Sequence, residues 1–188
     1  MRKLITLTCI ALLPAVSGCA AVVIGGAAAT GVVMAEDRRT VGTITEDQGI
    51  ELKAASRIEE KAKDAHINIT SYNRMVLLTG EVPSEAIKAE AERITRAVEN
   101  VRNVFNELKV GPNTSIQTRT NDSVITSKVK ARFVDANKFG ALHVKVVTED
   151  SVVYLLGMVK KQEAANATEI ARTTGGVTKV VRVFEYLD

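Results

Sequence analysis

Residues 66–82 read HINITSYNRMVLLTGEV, and residues 143–159 read HVKVVTEDSVVYLLGMV, which is an altered copy of the same pattern. A helix-like run and then an apolar strand follow each stretch, the strands being 101–108 (VRNVFNEL) and 177–184 (VTKVVRVF). An internal repeat of this kind indicates a duplicated structural unit. Each unit spans about 60 to 70 residues, near the lower limit for a domain that supplies its own core. The sequence therefore predicts two small tandem domains.

The first unit reads as a helix, a β-hairpin, a second helix and a closing strand. Residues 50–65 carry apolar side chains at helical spacing, namely Leu52, Ala55, Ile58 and Ala62. The turn residues Tyr72-Asn73-Arg74 separate two strand-like runs, which predicts a hairpin. Ser84 is a candidate cap for the next helix. The expected buried stripe of that helix is Ile87, Ala91, Ile94 and Val98, and residues 101–110 read as the last strand.

The second unit repeats this order, and Val124, Ile125, Val129 and Phe133 mark its first helix. The predicted fold class is α+β, with two tandem domains of α-β-β-α-β order. In each domain, two helices pack on one face of a three-stranded mixed sheet. The predicted domain bounds are 46–112 and 121–188, with a linker at 113–120. Gly80 and Gly157 recur at the end of the second strand, where a glycine predicts a positive φ or a close backbone approach.

The N-terminus predicts export. Residues 1–18 combine a positive start, a short apolar core and small residues before Cys19, which together form a secretory signal. The apolar core is shorter than the ~20 residues that span a bilayer and contains Pro14, which disfavours an uncleaved anchor. An ordinary secretory signal is the other alternative. Cleavage before Cys19 would remove Cys9, so no disulfide is expected within the mature chain.

The stretch Val16-Ser17-Gly18-Cys19 resembles the lipobox of bacterial lipoproteins. This resemblance implies diacylation of the Cys19 thiol, cleavage before Cys19 and acylation of the new amino terminus. Ala20 stands where an aspartate would imply retention in the inner membrane, so the resemblance favours the outer membrane. Residues 19–45 are predicted to form a lipidated flexible tether, because glycine and alanine bury little surface. An alternative is close helix packing within lipid through the glycines.

The charge is distributed unevenly between the two units. Residues 46–111 contain 10 basic and 12 acidic side chains, whereas residues 119–188 contain 11 basic and 8 acidic side chains. The net charge of +3 suits the second domain to an anionic surface. Its first helix also carries more apolar residues than one buried stripe needs. Residues 125, 129 and 133 can face the sheet, whereas Val124 and Val134 lie off that stripe.

This helix has two possible interpretations. It inserts shallowly among lipid headgroups, or its aromatic residues are ordinary core and its lysines are solvated. The residues assigned to phospholipid contact by the first interpretation are Val124, Lys128, Lys130, Phe133, Val134, Lys138 and Phe139.

No motif in the chain indicates catalysis. A nucleophile elbow, an HExxH pattern, a Walker loop and a GxGxxG pattern are all missing from the sequence, so we expect no enzyme and no cofactor.

His66 and His143 occupy the same repeat position. A metal site needs three or four convergent ligands, and neither histidine has a neighbouring cysteine or an HxH pattern, so no metal is expected. The small basic excess and the few aromatic residues argue against a nucleic-acid partner.

The element order, the VLLTGEV and VYLLGMV strands and the valine-rich last strand resemble the BON domain, twice over residues 46–188. With the lipobox and the Ala/Gly-rich tether, the chain resembles the dual BON-domain outer-membrane lipoproteins. The resemblance implies a non-enzymatic protein that faces the periplasm and binds anionic phospholipid through its second domain. It also implies a role at the division site and in outer-membrane integrity. Val124 stands where the family pattern has a large aromatic residue, which implies shallower insertion.

The alternative function is a periplasmic scaffold for other proteins. In that case, the acidic first domain would dock the β-barrel assembly machinery or a cell-wall hydrolase regulator. Glu59 and Glu60 are the candidate contact residues for such a partner.

Overall fold

The computed structural model describes residues 37–63 and 65–188. The predictions for the signal, for Cys19 and for the Ala/Gly-rich stretch lie outside these residues. The elements of the first domain are α1 (Val41–Glu59), β1 (His66–Tyr72), β2 (Met75–Val82), α2 (Glu85–Arg96), β3 (Asn103–Asn106) and β4 (Lys109–Val110). The elements of the second domain are α3 (Ile116–Ala136), a 3₁₀ turn (Ala141–His143), β5 (Val144–Glu149), β6 (Val152–Val159), α4 (Lys161–Arg172) and β7 (Lys179–Tyr186). This order confirms the predicted α+β fold class.

Each sheet is mixed, with the second strand of the hairpin at its centre. Strand β2 pairs antiparallel with β1 and parallel with β3 and β4, and β6 pairs in the same way with β5 and β7. The register leaves two-residue turns at Asn73-Arg74 and Asp150-Ser151, and all four residues have positive φ. Such turns match the right-handed twist of the flanking strands. The hairpins therefore have the same geometry in both copies.

Two buried aspartates hold these turns and were not found from the sequence. The Asp47 carboxylate on α1 accepts backbone hydrogen bonds from Asn73 at 2.8 Å and from Arg74 at 2.7 Å. The Asp122 carboxylate on α3 accepts backbone hydrogen bonds from residues 150 and 151 at 2.9 and 2.8 Å. The backbone amides of both turns thus have hydrogen-bond partners, and the first helix of each copy is fixed to its hairpin.

The helices cover the outer face of each sheet. On α1 the buried apolar residues are Ile50, Ala54 and Ile58, whereas Leu52 is 73% exposed. The predicted stripe through Leu52 and Ala55 was therefore wrong. The true stripe repeats every four residues and continues toward the N-terminus through Asp47, a polar residue whose burial is explained by hydrogen bonds.

Helices extend into two of the predicted connecting segments, and one predicted strand is divided. Helix α1 begins at Val41 because the Thr40 hydroxyl caps it by accepting from the Thr43 amide, so the final part of the predicted 19–45 tether is ordered. Helix α3 begins at Ile116 after the Ser115 cap, so most of the predicted 113–120 linker is helical. The closing strand of the first domain is divided into β3 and β4.

The inner faces of the two sheets pack against each other. The shared buried cluster contains Tyr72 and Leu77 from the first domain and Val152, Tyr154, Leu156 and Val183 from the second. Central strands β2 and β6 are consequently covered on both sides, by helices outside and by the other sheet inside. Burial on both faces explains why these strands are nearly continuous apolar runs. The two domains form one packed unit, Asp37–Asp188.

A short segment before α1 ties the two domains together. This N-terminal strap, residues 37–40, places Arg38 in a bidentate ion pair with Glu163 at 2.7 and 2.8 Å, and Arg38 also donates to the Met158 carbonyl. Hydrogen bonding to Arg38 lowers the pKa of Glu163 to about 2. Arg39 pairs with Asp47 at 2.9 Å and lies 3.9 Å from the centre of the Tyr72 ring.

Candidate functional site

Helix α3 divides sharply into a buried face and an exposed face. Ile125, Val129 and Phe133 are buried, as their four-residue spacing predicts, and pack on the second sheet. Val124 is 45% exposed and Val134 is 64% exposed. The helix therefore presents apolar side chains to solvent in addition to the stripe that it buries.

Cations surround these exposed valines. Lys128 and Lys130 are exposed on the helix, and Lys138 is exposed just beyond its end. Lys128 lies one turn after Val124, and Val134 lies one turn after Lys130. We define the α3 outer face as Val124, Lys128, Lys130, Val134 and Lys138. None of its lysines forms an ion pair with another residue that the structure describes.

The structure corrects the assignment of the two phenylalanines to lipid contact. Phe133 is 1% exposed and Phe139 is 9% exposed, and their rings meet edge to face with centroids 5.0 Å apart inside the core of the second domain. An aromatic pair placed in this way stabilises the end of α3. Neither ring is available to a membrane in this fold.

The Arg132 side chain forms hydrogen bonds within the second domain and is therefore not available to lipid. Its guanidinium donates to the Ile170 carbonyl at 3.0 Å and to the Thr174 hydroxyl at 2.8 Å, both at the end of α4. A second nitrogen donates to the Thr173 hydroxyl at 3.1 Å. Arg132 thus links α3 to α4, and the positive charge that remains free on this surface belongs to the lysines.

The repeated glycines lie where backbone approaches backbone. Gly80 has a φ of +111°, and a Cβ there would lie 2.0 Å from the His66 carbonyl oxygen. A Cβ at Gly157 would lie 2.4 Å from the His143 carbonyl oxygen. In each copy, the glycine allows the backbone at the start of the first hairpin strand to approach the central strand closely.

Each repeated histidine lies close to a glutamate carboxylate. No spacing in the sequence predicted these contacts. His66 Nδ1 lies 3.1 Å from Glu81 Oε2 and 4.0 Å from Glu149 Oε1. His143 Nδ1 lies 3.7 Å from Glu163 Oε1. Because Glu149 belongs to the other domain, its proximity to His66 depends on the sheet-to-sheet packing and has no local sequence signal.

The fold and this surface define a class of protein: tandem α-β-β-α-β domains packed sheet to sheet, with one cationic, partly apolar helix face. The BON domain model matches residues 46–112 and 121–188. The chain therefore belongs to the BON-domain family. Within the described residues, no helix is both long and apolar enough to cross a membrane.

Several curated proteins resemble the chain over most of its length. "Outer membrane lipoprotein DolP" of Haemophilus influenzae is 40% identical over 91% of this chain and 90% of its own. "21 kDa hemolysin" of Actinobacillus pleuropneumoniae is 32% identical over 80% of this chain and 79% of its own. "Osmotically-inducible protein Y" of Escherichia coli is 32% identical over 74% of this chain and 72% of its own. The chain is thus a dual BON-domain protein similar to an outer-membrane lipoprotein.

Proposed function

We propose that the chain is a non-enzymatic lipoprotein, anchored in the outer membrane by acylated Cys19 and facing the periplasm. Its α3 outer face binds anionic phospholipid, and this contact supports outer-membrane integrity, including at the division site. The observation that carries the proposal is the α3 outer face, where three exposed lysines that pair with no described residue accompany two exposed valines on or just beyond one helix. The likeness to an outer-membrane lipoprotein supports the location.

The expected affinity of the α3 outer face for lipid is low. Each lysine near an anionic membrane contributes about 1 kcal/mol, so Lys128, Lys130 and Lys138 contribute about 3 kcal/mol. A fully buried valine contributes roughly 1.5 kcal/mol, and the exposed parts of Val124 and Val134 together add about as much. This total of about 4 to 5 kcal/mol is an upper bound, because exposed Asp135 on the same helix repels anionic lipid, and it corresponds to a dissociation constant of about 1 mM or weaker.

Weak binding suffices for a protein that is already attached to the membrane. The chain from Cys19 to Asp37 would reach up to about 60 Å when extended, which lets the second domain meet the bilayer that holds the lipid anchor. Because the lipid anchor keeps the second domain near the bilayer, the effective concentration of lipid at the α3 outer face is high. The α3 outer face would then orient the second domain on the bilayer and give it a preference for anionic lipid. The acyl chains would supply the stable attachment.

The test is co-sedimentation of residues 37–188 with lipid vesicles. This fragment contains every element and apolar cluster described above. We expect binding to phosphatidylglycerol-rich vesicles at millimolar lipid and little binding to phosphatidylcholine vesicles. The double substitution Lys128→Glu with Lys130→Glu should abolish it. The matched control, Lys61→Glu with Lys63→Glu, makes the same charge change on exposed residues of the first domain and should retain most binding.

A further variant separates the apolar contribution from charge. Val134→Ser removes exposed apolar surface without changing the net charge and should weaken vesicle binding by a few fold. Binding that ignores lipid charge, or that falls equally in the two double substitutions, would contradict the proposal.

One feature of the first domain favours a second function, docking of a protein. Leu52 is 73% exposed on α1, next to a groove of about 410 Å³ that Ala55, Ile67 and Ile69 also line. We propose that this groove contacts an envelope assembly protein. A photoreactive crosslinker at position 52 in intact cells should capture one protein, and capture of lipid or of no partner would contradict this function.

A further inference from the structure

Three side chains that can bind a metal meet where the two domains pack. His66 on β1, Glu81 on β2 and Glu149 on β5 each offer a ligand atom, and these atoms all lie within 4.8 Å of one another. Two residues come from the first domain and the third from the second. We call this group the interdomain triad.

The carboxylates of the interdomain triad are buried, and no described arginine or lysine pairs with either of them. Glu81 is 3% exposed and Glu149 is 5% exposed. Glu81 Oε2 accepts from the Thr114 amide at 3.0 Å, but Glu81 Oε1 is buried and has no hydrogen-bond partner. Arg119 lies nearby and donates to the Thr114 hydroxyl, and it forms no ion pair with a described residue. Burying carboxylates in this way costs free energy unless a positive charge compensates them.

In the second copy, an arginine compensates the negative charge of the carboxylate beside the repeated histidine. His143, at the repeat position of His66, also faces a carboxylate, that of Glu163. Both oxygens of Glu163 accept from Arg38, which supplies a positive charge. No described arginine or lysine does this for Glu81 and Glu149. The carboxylate beside His143 is therefore compensated by an arginine, whereas the carboxylates beside His66 are paired with no described arginine or lysine.

We propose that the interdomain triad binds a divalent transition-metal ion of the zinc type. One imidazole nitrogen and two carboxylate oxygens suit zinc better than magnesium or calcium, which prefer oxygen ligands alone. Ligand atoms about 2.0–2.1 Å from a tetrahedral zinc lie about 3.3 Å apart. The two distances from His66, 3.1 and 4.0 Å, bracket that spacing, and all three ligand atoms lie within 4.8 Å of one another, so side-chain movements of about 1–2 Å would bring them to a zinc ion.

The surroundings leave room for the ion and for a fourth ligand. A cavity of about 400 Å³ is lined by His66, Glu149, Asp122 and Arg119 among others, and gives a route from solvent. Water from this cavity can complete the coordination. Asn68 donates to Glu149 Oε2 at 2.8 Å and orients that carboxylate. Such supporting hydrogen bonds are typical of metal sites.

A metal ion held here would join the two domains. Glu149 reaches the first domain only while the sheets are packed, so binding would favour the packed arrangement. This inference is independent of lipid binding, since none of its ligands lies on the α3 outer face.

The experiment is calorimetric titration of tag-free, chelator-treated residues 37–188 with ZnCl2. We expect one saturable site and a rise in unfolding temperature with added zinc, because an ion that binds only the folded protein stabilises it. Glu149→Gln and His66→Gln should each lower the affinity at least about 10-fold. His143→Gln, the matched change in the other copy, should leave the affinity unchanged.

Other results would overturn the site. Saturable binding that survives Glu149→Gln, or that is lost equally in His143→Gln, would show that zinc binds elsewhere. No saturable binding by the unsubstituted protein would contradict the proposed site. If His66→Gln fails to fold by circular dichroism, Glu149→Gln decides, because its amide keeps the side-chain shape.

Discussion

Removing the Glu163 carboxylate tests how firmly the N-terminal strap holds the second domain. Glu163 receives two hydrogen bonds from Arg38 and a third from the Lys160 amide at 2.8 Å, at the start of α4. The Arg38 and Glu163 side chains are 23% and 16% exposed. The substitution Glu163→Gln keeps the shape and removes the charge, so it isolates the electrostatic part of these contacts.

The magnitude follows from the depressed pKa of Glu163. The pKa falls from an ordinary 4.5 to about 2, mainly through the hydrogen bonds from Arg38. At about 1.4 kcal/mol for each pKa unit, this fall from 4.5 to about 2 corresponds to at most about 3.5 kcal/mol of stability. Solvent reaches this pair, so we expect about 1–2 kcal/mol in practice.

The dependence on pH has a definite sign. A lowered folded pKa means that the unfolded chain binds more protons at acidic pH, so the pair stabilises the fold above the unfolded pKa. This contribution is complete above about pH 4.5 and disappears as the pH falls toward 2. The difference in unfolding free energy between the wild type and Glu163→Gln should therefore shrink over that interval.

Urea unfolding of residues 37–188 at pH 7 provides the measurement, with Glu169→Gln as the matched control. Glu169 lies on the same helix and pairs with Arg172, but the two side chains are 59% and 65% exposed. Exposed pairs contribute little, so the control should change stability by less than about 0.5 kcal/mol. Equal effects of the two substitutions, or a loss that is unchanged at pH 2.5, would refute the reasoning.

Three other predictions test separate parts of the account. Gly80→Ala should destabilise the protein by about 1–3 kcal/mol in urea unfolding, because the positive φ of Gly80 and its contact with the His66 carbonyl exclude a Cβ. Gly49→Ala, at an open position on helix α1, should instead stabilise the protein by about 0.5–1 kcal/mol. Equal effects of the two substitutions would contradict this explanation. Asp122→Ala leaves two turn amides without partners and should cost about 2 kcal/mol by thermal unfolding, whereas Asp135→Ala on the exposed side of α3 should cost almost nothing. Cys19→Ala should yield a chain that is not acylated and is missing from outer-membrane fractions; normal fractionation would contradict the proposed anchor.

The repeat predicted most of the fold because it lies in the hairpins, where alternation and turn residues are strongest. Two positive-φ turn residues recur in each copy at the centre of that repeat. The start of α1 was harder to predict, because residues 41–49 have little apolar periodicity. Their buried contact is the Asp47 carboxylate, which reaches turn amides 26 and 27 residues later. No spacing rule reveals a hydrogen bond of that kind.

The candidate site was only partly predictable for a similar reason. Helical spacing separated buried Val129 from exposed Val124 and Val134 correctly. The burial of Phe139 depends on how the loop after α3 folds back, and the sequence of one loop does not determine that. The interdomain triad depends on sheet-to-sheet packing, which brings His66 and Glu149 together from opposite copies.

The central claim, that α3 touches anionic lipid, can be tested with a single tryptophan. The chain contains no tryptophan, so Val134→Trp in residues 37–188 places the only indole on the α3 outer face. Leu52→Trp, on an exposed helix position of the first domain, is the matched control. We predict that phosphatidylglycerol-rich vesicles at millimolar lipid shift the emission of Val134→Trp to shorter wavelength, that phosphatidylcholine vesicles do not, and that Leu52→Trp responds to neither. Emission of Val134→Trp that is unchanged by anionic vesicles, or an equal shift in Leu52→Trp, would contradict the account.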